Sequence, residues 1–535
     1  MEATMIPHSP VAPSPDLPVQ GLAKAVSAHL RGDAAGALAA LESSGAASTS
    51  PEVRAARAYL RLELKQYAEA AADYEALLEA RPSYAEGHYQ RGVCLSHIGK
   101  FEEARVHFAK SAELDPSHAD APLGAGVCLL NLKRPDEALD AFRKCLERSP
   151  GLEAALLGKA VALQLSWEMD EALDIYRAIL EKNPRCEEAL VNSVVLGMQR
   201  KDYALVQTSA QQLLELNPSS QAALEGLSAA AFAREAYADA ARYYTRLTGL
   251  FGSHYDYWFN LGVAWQRLGD ASEAGAAYSK AAALRPDLAA PHINLAVLYS
   301  SRANHAMARQ ALGSALTIAP ERDDLRYHLA AIEEQLGHKD EAETIYADLA
   351  ARTPGDENAQ FRLGYLKLER GDAKAAATCF QACLGKRPQW SDAEINLGLA
   401  YWKSNQAEQA RAVLENLVAR EPQSIDAVRG LAVNSLAQDD AVQALKWHQR
   451  LQELGDRSPE VLHNTGLLLF RTGDIDGAVR NYRDAVAAKP DFAEALLNLG
   501  HALEACGMQQ EARETWARAL DLKPALAQGY FLPAA

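Results

Sequence analysis

Asparagine returns on a fixed grid along the second half of this sequence. Asn260, Asn294, Asn396, Asn464 and Asn498 are separated by multiples of 34 residues, and Asn192 falls on the same grid. The remaining grid points of that half hold His328, Arg362 and Gly430. An amide side chain carries two donors and an acceptor, so a row of amides can hydrogen-bond the main chain of an extended peptide with loose sequence preference. Asparagine is a poor helix-interior residue because its amide competes for backbone bonds, so its recurrence needs a cause. A ligand ladder is one cause; a tie between neighbouring helices is the other. Apolar residues such as Phe259, Val297, Leu399 and Phe470 run beside the amides. Most of these read as packing. Tyr365 and Trp402 are large enough to anchor a ligand and, with Arg362, complete the candidate peptide-binding set. Four residues ahead of the grid point a carboxylate stands in ten of the fourteen units, as in Asp256, Asp392, Asp426, Glu460 and Glu494. In the first turn of a helix such a group complements the helix dipole. The same row could form an acidic rim that steers basic segments.

No other set of residues has the spacing that catalysis needs. The motifs G-x-x-x-x-G-K-[ST], H-E-x-x-H, G-x-S-x-G and G-x-G-x-x-G do not occur, so neither catalytic residues nor a cofactor is expected. The cysteines are 7, an odd number, and no C-x-x-C occurs. Reduced, mostly buried thiols are expected rather than a disulfide framework or a metal site. A formal charge of −16 over 535 residues repels phosphate backbones and anionic lipid. Nucleic-acid and membrane partners are therefore not expected. No stretch approaches the ~20 apolar residues of a membrane span. The opening MEATMIPHSPVAPSPDLP lacks the basic and apolar regions of a signal peptide, which points to a cytoplasmic protein.

The grid belongs to a repeat that positions the amides. With a unit set at 85–118, the same punctuation returns every 34 residues through fourteen consecutive units from 51 to 526, and a looser unit precedes them. Position 8 is small in thirteen of the fourteen units, as in Gly92, Gly126, Gly398 and Gly466. Position 20 is alanine, as in Ala70, Ala138, Ala274 and Ala512. Position 24 is Tyr, Phe or Trp in ten units, as in Tyr74, Phe142, Tyr278 and Trp516. Position 32 is proline, as in Pro82 and Pro490. Each unit holds two stretches with apolar residues three and four apart, split by a polar pair such as Gly473-Asp474. These are two packed helices, A and B. The small residues sit where their axes cross, the ring fills the wedge, and proline ends helix B.

These residues resemble the tetratricopeptide repeat (TPR) family, with the closest unit at 255–288: Trp258, Leu261, Gly262, Ala274, Tyr278, Ala281 and Pro286. The resemblance implies an all-α, right-handed superhelical solenoid of about fifteen units, with the A helices lining a concave wall and positions 2, 5, 6, 9, 12 and 13 facing it. The asparagines stand at position 6. There they are similar to the asparagine ladder in the TPR superhelix of O-linked N-acetylglucosamine transferases. The clamp by which chaperone-binding TPR domains hold an acidic tail finds no match in three consecutive units.

Two adjacent units are irregular. In 187–220, Val194, Val206 and Ala210 replace the small residue, the alanine and the ring; in 221–254, Gly252 replaces proline. Repeat stability is close to a sum over units and interfaces, so a weak pair is a candidate hinge. The expected organisation is a disordered lead at 1–16, an N-terminal array at 17–220, a C-terminal array with the peptide groove at 221–526, and a stub at 527–535. In the stub, Tyr530, Phe531 and Leu532 could cover the last helix; a homodimer through that end is the alternative. The function expected is a non-enzymatic scaffold or adaptor that binds proteins or peptides, including basic segments. A substrate-docking subunit of a separate glycosyltransferase-like enzyme and an envelope assembly or secretion factor are the alternatives.

Overall fold

The computed structural model describes residues 17–43 and 50–529, so the expected lead and Tyr530, Phe531 and Leu532 lie outside the described residues. Within them every regular element is helical. Thirty α-helices are numbered in chain order from α1 (Leu17–His29) to α30 (Gln509–Leu522), and a short 3-10 helix, Pro524–Gly529, packs on α30. The architecture is an all-α solenoid of successive helix pairs. It divides into two compact units, Met1–Ala277 and Tyr278–Ala535.

Local chemistry sets the helix boundaries. In 459–492, α27 (Pro459–Thr472) ends on Gly473, whose φ of 91° is left-handed and costs glycine nothing. Asp474 then caps α28 (Ile475–Ala488), its carboxylate accepting from the Gly477 amide at 2.9 Å. Lys489 follows, and Pro490 blocks continuation. Asp202, Asp372 and Asp440 cap their helices in the same way. The turn demands a positive φ whatever residue fills it: Trp167 sits there at 66°.

Within each unit, consecutive helices pack together. The A helices also touch the next A helix: α21 (Glu357–Glu369) meets α23 (Ser391–Lys403), α23 meets α25 (Ile425–Ala437), and α27 meets α29 (Ala493–Ala505). No pair of B helices makes a comparable contact among the described residues. Within each compact unit, the A-helix contacts set neighbouring A helices side by side, while the described B helices make no such contacts with each other.

The small residue at position 8 is dictated by the ring at position 24 of its own unit. A Cβ on Gly126 would lie 2.6 Å from the Phe142 ring, one on Gly466 would lie 2.8 Å from Tyr482, and one on Gly500 would lie 2.3 Å from Trp516. Two of the phenylalanine rings also reach position 6 of the next unit. Gly124 faces Phe108 and Gly158 faces Phe142, with a Cβ on either closer than 3 Å to ring carbons. The irregular unit 187–220 uses a different fit. Val194 and Val206 are buried, and the space they need comes from Gly197 and Gly226. A Cβ there would lie 2.8 Å from Val206 and 2.7 Å from Val194, respectively.

Candidate peptide-binding wall

The A helices of Tyr278–Ala535 carry a row of apolar side chains that nothing covers. Position 9 supplies Val297, Tyr365, Leu399 and Val433, which are 43%, 38%, 37% and 40% exposed. In Met1–Ala277, considered by itself, the same position supplies the exposed Tyr59, Val127 and Val195. Helix geometry explains the alignment: one residue per unit at a constant phase of helix A repeats on one face of every pair. Isolated exposed apolar residues are ordinary, but a regular row on one wall marks an interaction surface. Other apolar candidates serve packing. Phe361 stacks on Trp390 at 4.5 Å between ring centres and meets Phe380 edge-on. Tyr327 is pinned through its hydroxyl to Asp356.

Every grid asparagine is half-buried, and the structure shows what several of them touch. In Met1–Ala277, Asn260 on α15 (Tyr255–Leu268) is hydrogen-bonded to the Tyr244 hydroxyl; burial pushes that phenol up to about 12, the asparagine bond pulling the other way. In Tyr278–Ala535, Asn498 on α29 donates to His463 Nε2 on α27 at 2.9 Å. Burial holds the His463 imidazole below its ordinary range, although the hydrogen bond it donates to Asn464 opposes this. Asn396 on α23 donates to the Asp392 carbonyl one turn back at 2.8 Å. Asn294 lies on α17 (Ala290–Ser300).

The grid points that are not asparagine behave differently. Arg362 is ion-paired with Glu334 of the preceding A helix, donates to the Tyr346 hydroxyl, and lies 5.7 Å from the Tyr365 ring centre. Glu334 also accepts from Tyr346 at 2.9 Å, and burial followed by that carboxylate pushes the Tyr346 phenol up to about 12. His328 shares a 3.0 Å hydrogen bond with Ser300.

Gly430 leaves a hollow. Between α23 and α25 a cavity of about 260 Å³ opens on the wall, lined by Ile395, Gly398, Leu399, Trp402, Leu414, Asp426, Arg429, Gly430 and Val433. Its walls are apolar apart from Asp426 and Arg429. Arg429 donates to Asp426 at 2.7 Å and to Asp456 at 2.9 Å. Burial works to raise the Asp456 carboxyl, but hydrogen bonds from Arg429 and Ser458 outweigh it and hold it below the usual range.

Tyr365, Trp402, Arg362 and the amides Asn294, Asn396, Asn464 and Asn498 thus lie on A helices of Tyr278–Ala535, whereas Asn260 lies on an A helix of Met1–Ala277. Sequence reasoning missed Val433 and took Gly430 only as a gap in the ladder. The available signal was Leu414, which breaks the aromatic pattern at position 24 one unit earlier. Among the described residues no helix is long and apolar enough to cross a membrane, and no cluster of three or more His, Cys, Asp or Glu could hold a metal ion.

Tetratricopeptide repeat patterns match residues 18–43, 55–113, 98–153, 230–289, 302–363, 367–432, 466–507 and 493–526. No curated protein matches the sequence. Among solved structures, a tetratricopeptide repeat protein from Parabacteroides merdae is 17% identical over 46% of this chain and 98% of its own, with a TM-score of 0.34. YrrB, described as a TPR protein with an unusual peptide-binding site, is 21% identical over 35% of this chain and 97% of its own, with a TM-score of 0.31. A chain from the structure of Naa15/Naa10 bound to HypK-THB is 12% identical over 97% of both chains, with a TM-score of 0.33.

Proposed function

Because the chain belongs to the tetratricopeptide-repeat family, whose pattern recurs from residue 18 to residue 526, we propose that it is a non-enzymatic scaffold or adaptor that holds a peptide or partner protein along its A-helix wall. The observation that carries this reading is the uncovered row Val297, Tyr365, Leu399 and Val433 at one helix phase. A partner that covers it removes apolar surface from water, the main driving force of association. The half-buried amides beside the row fix the pose by bonding main chain. Asn396 suits this best, since it spends only one amide hydrogen on its own helix. Exposed carboxylates at position 2, including Asp324, Asp426 and Glu460, favour a basic partner. The amide row also favours a second reading, a subunit that docks substrates for a separate glycosyltransferase-like enzyme.

Selection of random dodecapeptides displayed on phage against the purified protein tests the proposal. Peptides that bind wild type are expected to lose roughly tenfold or more in affinity with the Asn294→Ala/Asn396→Ala/Asn464→Ala variant, while its helical circular dichroism is unchanged. If the affinities do not change, the amides are ties between helices and nothing more. If no peptide is recovered, the wall is not a peptide site.

A further inference from the structure

The hollow at Gly430 has a template elsewhere in the chain. In two regular units, three positions enclose a phenylalanine ring: the ring at 24, a glycine at 8 and a glycine at 6 of the following unit. Phe142 is held in this way between Gly126 and Gly158, with each missing Cβ position 2.4 to 2.6 Å from its nearest ring carbon. Phe108 lies against Gly92 and Gly124 in the same manner. The unit at 391 keeps both glycines, Gly398 and Gly430, but places Leu414 where the ring belongs. Leu312 also replaces a ring, yet there His328 rather than glycine stands at position 6. Leu414 packs against both glycines but is smaller than a ring, and beside it the cavity opens on the wall between Leu399, Trp402 and Val433.

We infer that this hollow takes the aromatic side chain of a bound peptide, with a lysine or arginine beside it. The inference rests on the proposed peptide wall and names its anchor. The aromatic occupant follows from the chain's own Phe142 and Phe108, which show what fits against such a glycine pair. An indole wall adds a stacking partner, since aromatic pairs gain beyond their area. The basic neighbour follows from the rim, where Asp426 and Asp456 share the single guanidinium of Arg429 and leave an excess of negative charge.

The test uses three fluorescein-labelled octapeptides and fluorescence anisotropy with the full chain. One peptide has a single phenylalanine flanked by two lysines, the second has alanine for phenylalanine, and the third has glutamates for the lysines. Wild type is expected to bind the first at least roughly tenfold more tightly than either of the others. Leu414→Phe supplies the chain's own ring and is expected to abolish the preference for phenylalanine without lowering the melting temperature. Trp402→Ala, which removes one wall, is expected to weaken the first peptide far more than the second; it decides the matter if Leu414→Phe does not fold. Equal binding of the phenylalanine and alanine peptides to wild type overturns the anchor, as does a folded Leu414→Phe that keeps the preference. If phage-selected peptides still bind and lose affinity with the asparagine variant, only the anchor has failed. If none binds, the peptide wall has failed with it.

Discussion

Gly158→Ala and Gly430→Ala make the same change at the same repeat position, yet they should move stability in opposite directions. Alanine in place of a helical glycine gains about 1 kcal/mol from propensity alone. At Gly158 the new methyl would lie 2.4 and 2.5 Å from two ring carbons of Phe142, against roughly 3.5–4.0 Å for a comfortable carbon contact. Phe142 is fully buried and is walled on its other side by Gly126, so it has nowhere to turn. Overpacking of this kind costs up to about 3 kcal/mol, which leaves a net loss of about 1–2 kcal/mol. At Gly430 the nearest atom is Leu414 Cδ1 at 2.8 Å, the free end of a side chain beside an open cavity. Leu414 can swing aside, so most of the propensity gain should survive, up to about 1 kcal/mol. Repeat arrays open locally, so amide hydrogen exchange read by mass spectrometry is the appropriate assay. Exchange in α8 (Pro135–Arg148) and α9 (Glu153–Leu165) should accelerate roughly tenfold in the first variant. In the second, exchange in α24 (Ala407–Arg420) and α25 should stay the same or slow. Movement of both in the same direction would refute the claim that the facing residue at position 24 decides which glycines are obligatory.

Two further outcomes concern Met1–Ala277. Burial, then Arg91 and then His88 hold the His107 imidazole down at about 4, with Glu75 and Glu103 opposing; its Nδ1 faces His88 Nδ1 at 3.0 Å. The unfolded chain, with an ordinary histidine near 6.5, takes up its proton first as pH falls. Stability is therefore full above that value and is lost as pH drops towards 4, by about 1–2 kcal/mol after allowing for partial exposure. Relative to His107→Gln, wild type should lose protection in α5 (Ala85–His97) and α6 (Phe101–Leu114) between pH 7 and pH 5; identical losses would exclude this source. Trp167→Gly should stabilise the chain by up to about 1 kcal/mol, because Trp167 holds a left-handed turn while 77% exposed. A lower urea midpoint for this variant would mean that the indole makes stabilising contacts.

The period of 34 residues made the helix pairs legible, because each recurring residue does a local job. A left-handed glycine followed by a capping aspartate separates helix A from helix B, and proline stops helix B. None of these needs knowledge of the neighbouring unit. The site was harder to read because its determinants are relations between units. Position 24 and position 6 of the next unit lie 16 residues apart, an interval that fits no single helix, so the sequence shows them as two independent columns. Their meaning comes from the pair. Two tyrosine hydroxyls at 24 meet a polar group at 6, Tyr244 at Asn260 and Tyr346 at Arg362, while Tyr176 turns to Gln164 of its own unit. Two phenylalanine rings at 24 meet a glycine, Phe108 at Gly124 and Phe142 at Gly158. Asn396 follows Phe380, which has no hydroxyl to offer, and bonds its own helix instead. The same column of asparagines thus mixes residues committed to packing with residues left available, and counting rungs cannot separate them. Leu414 followed by Gly430 satisfies neither pairing: Leu414 keeps the close approach to the glycine but is smaller than a ring, and a hollow opens beside it. In a repeat protein the regular positions specify the scaffold, and a departure matters when its partner one unit away has not changed to match.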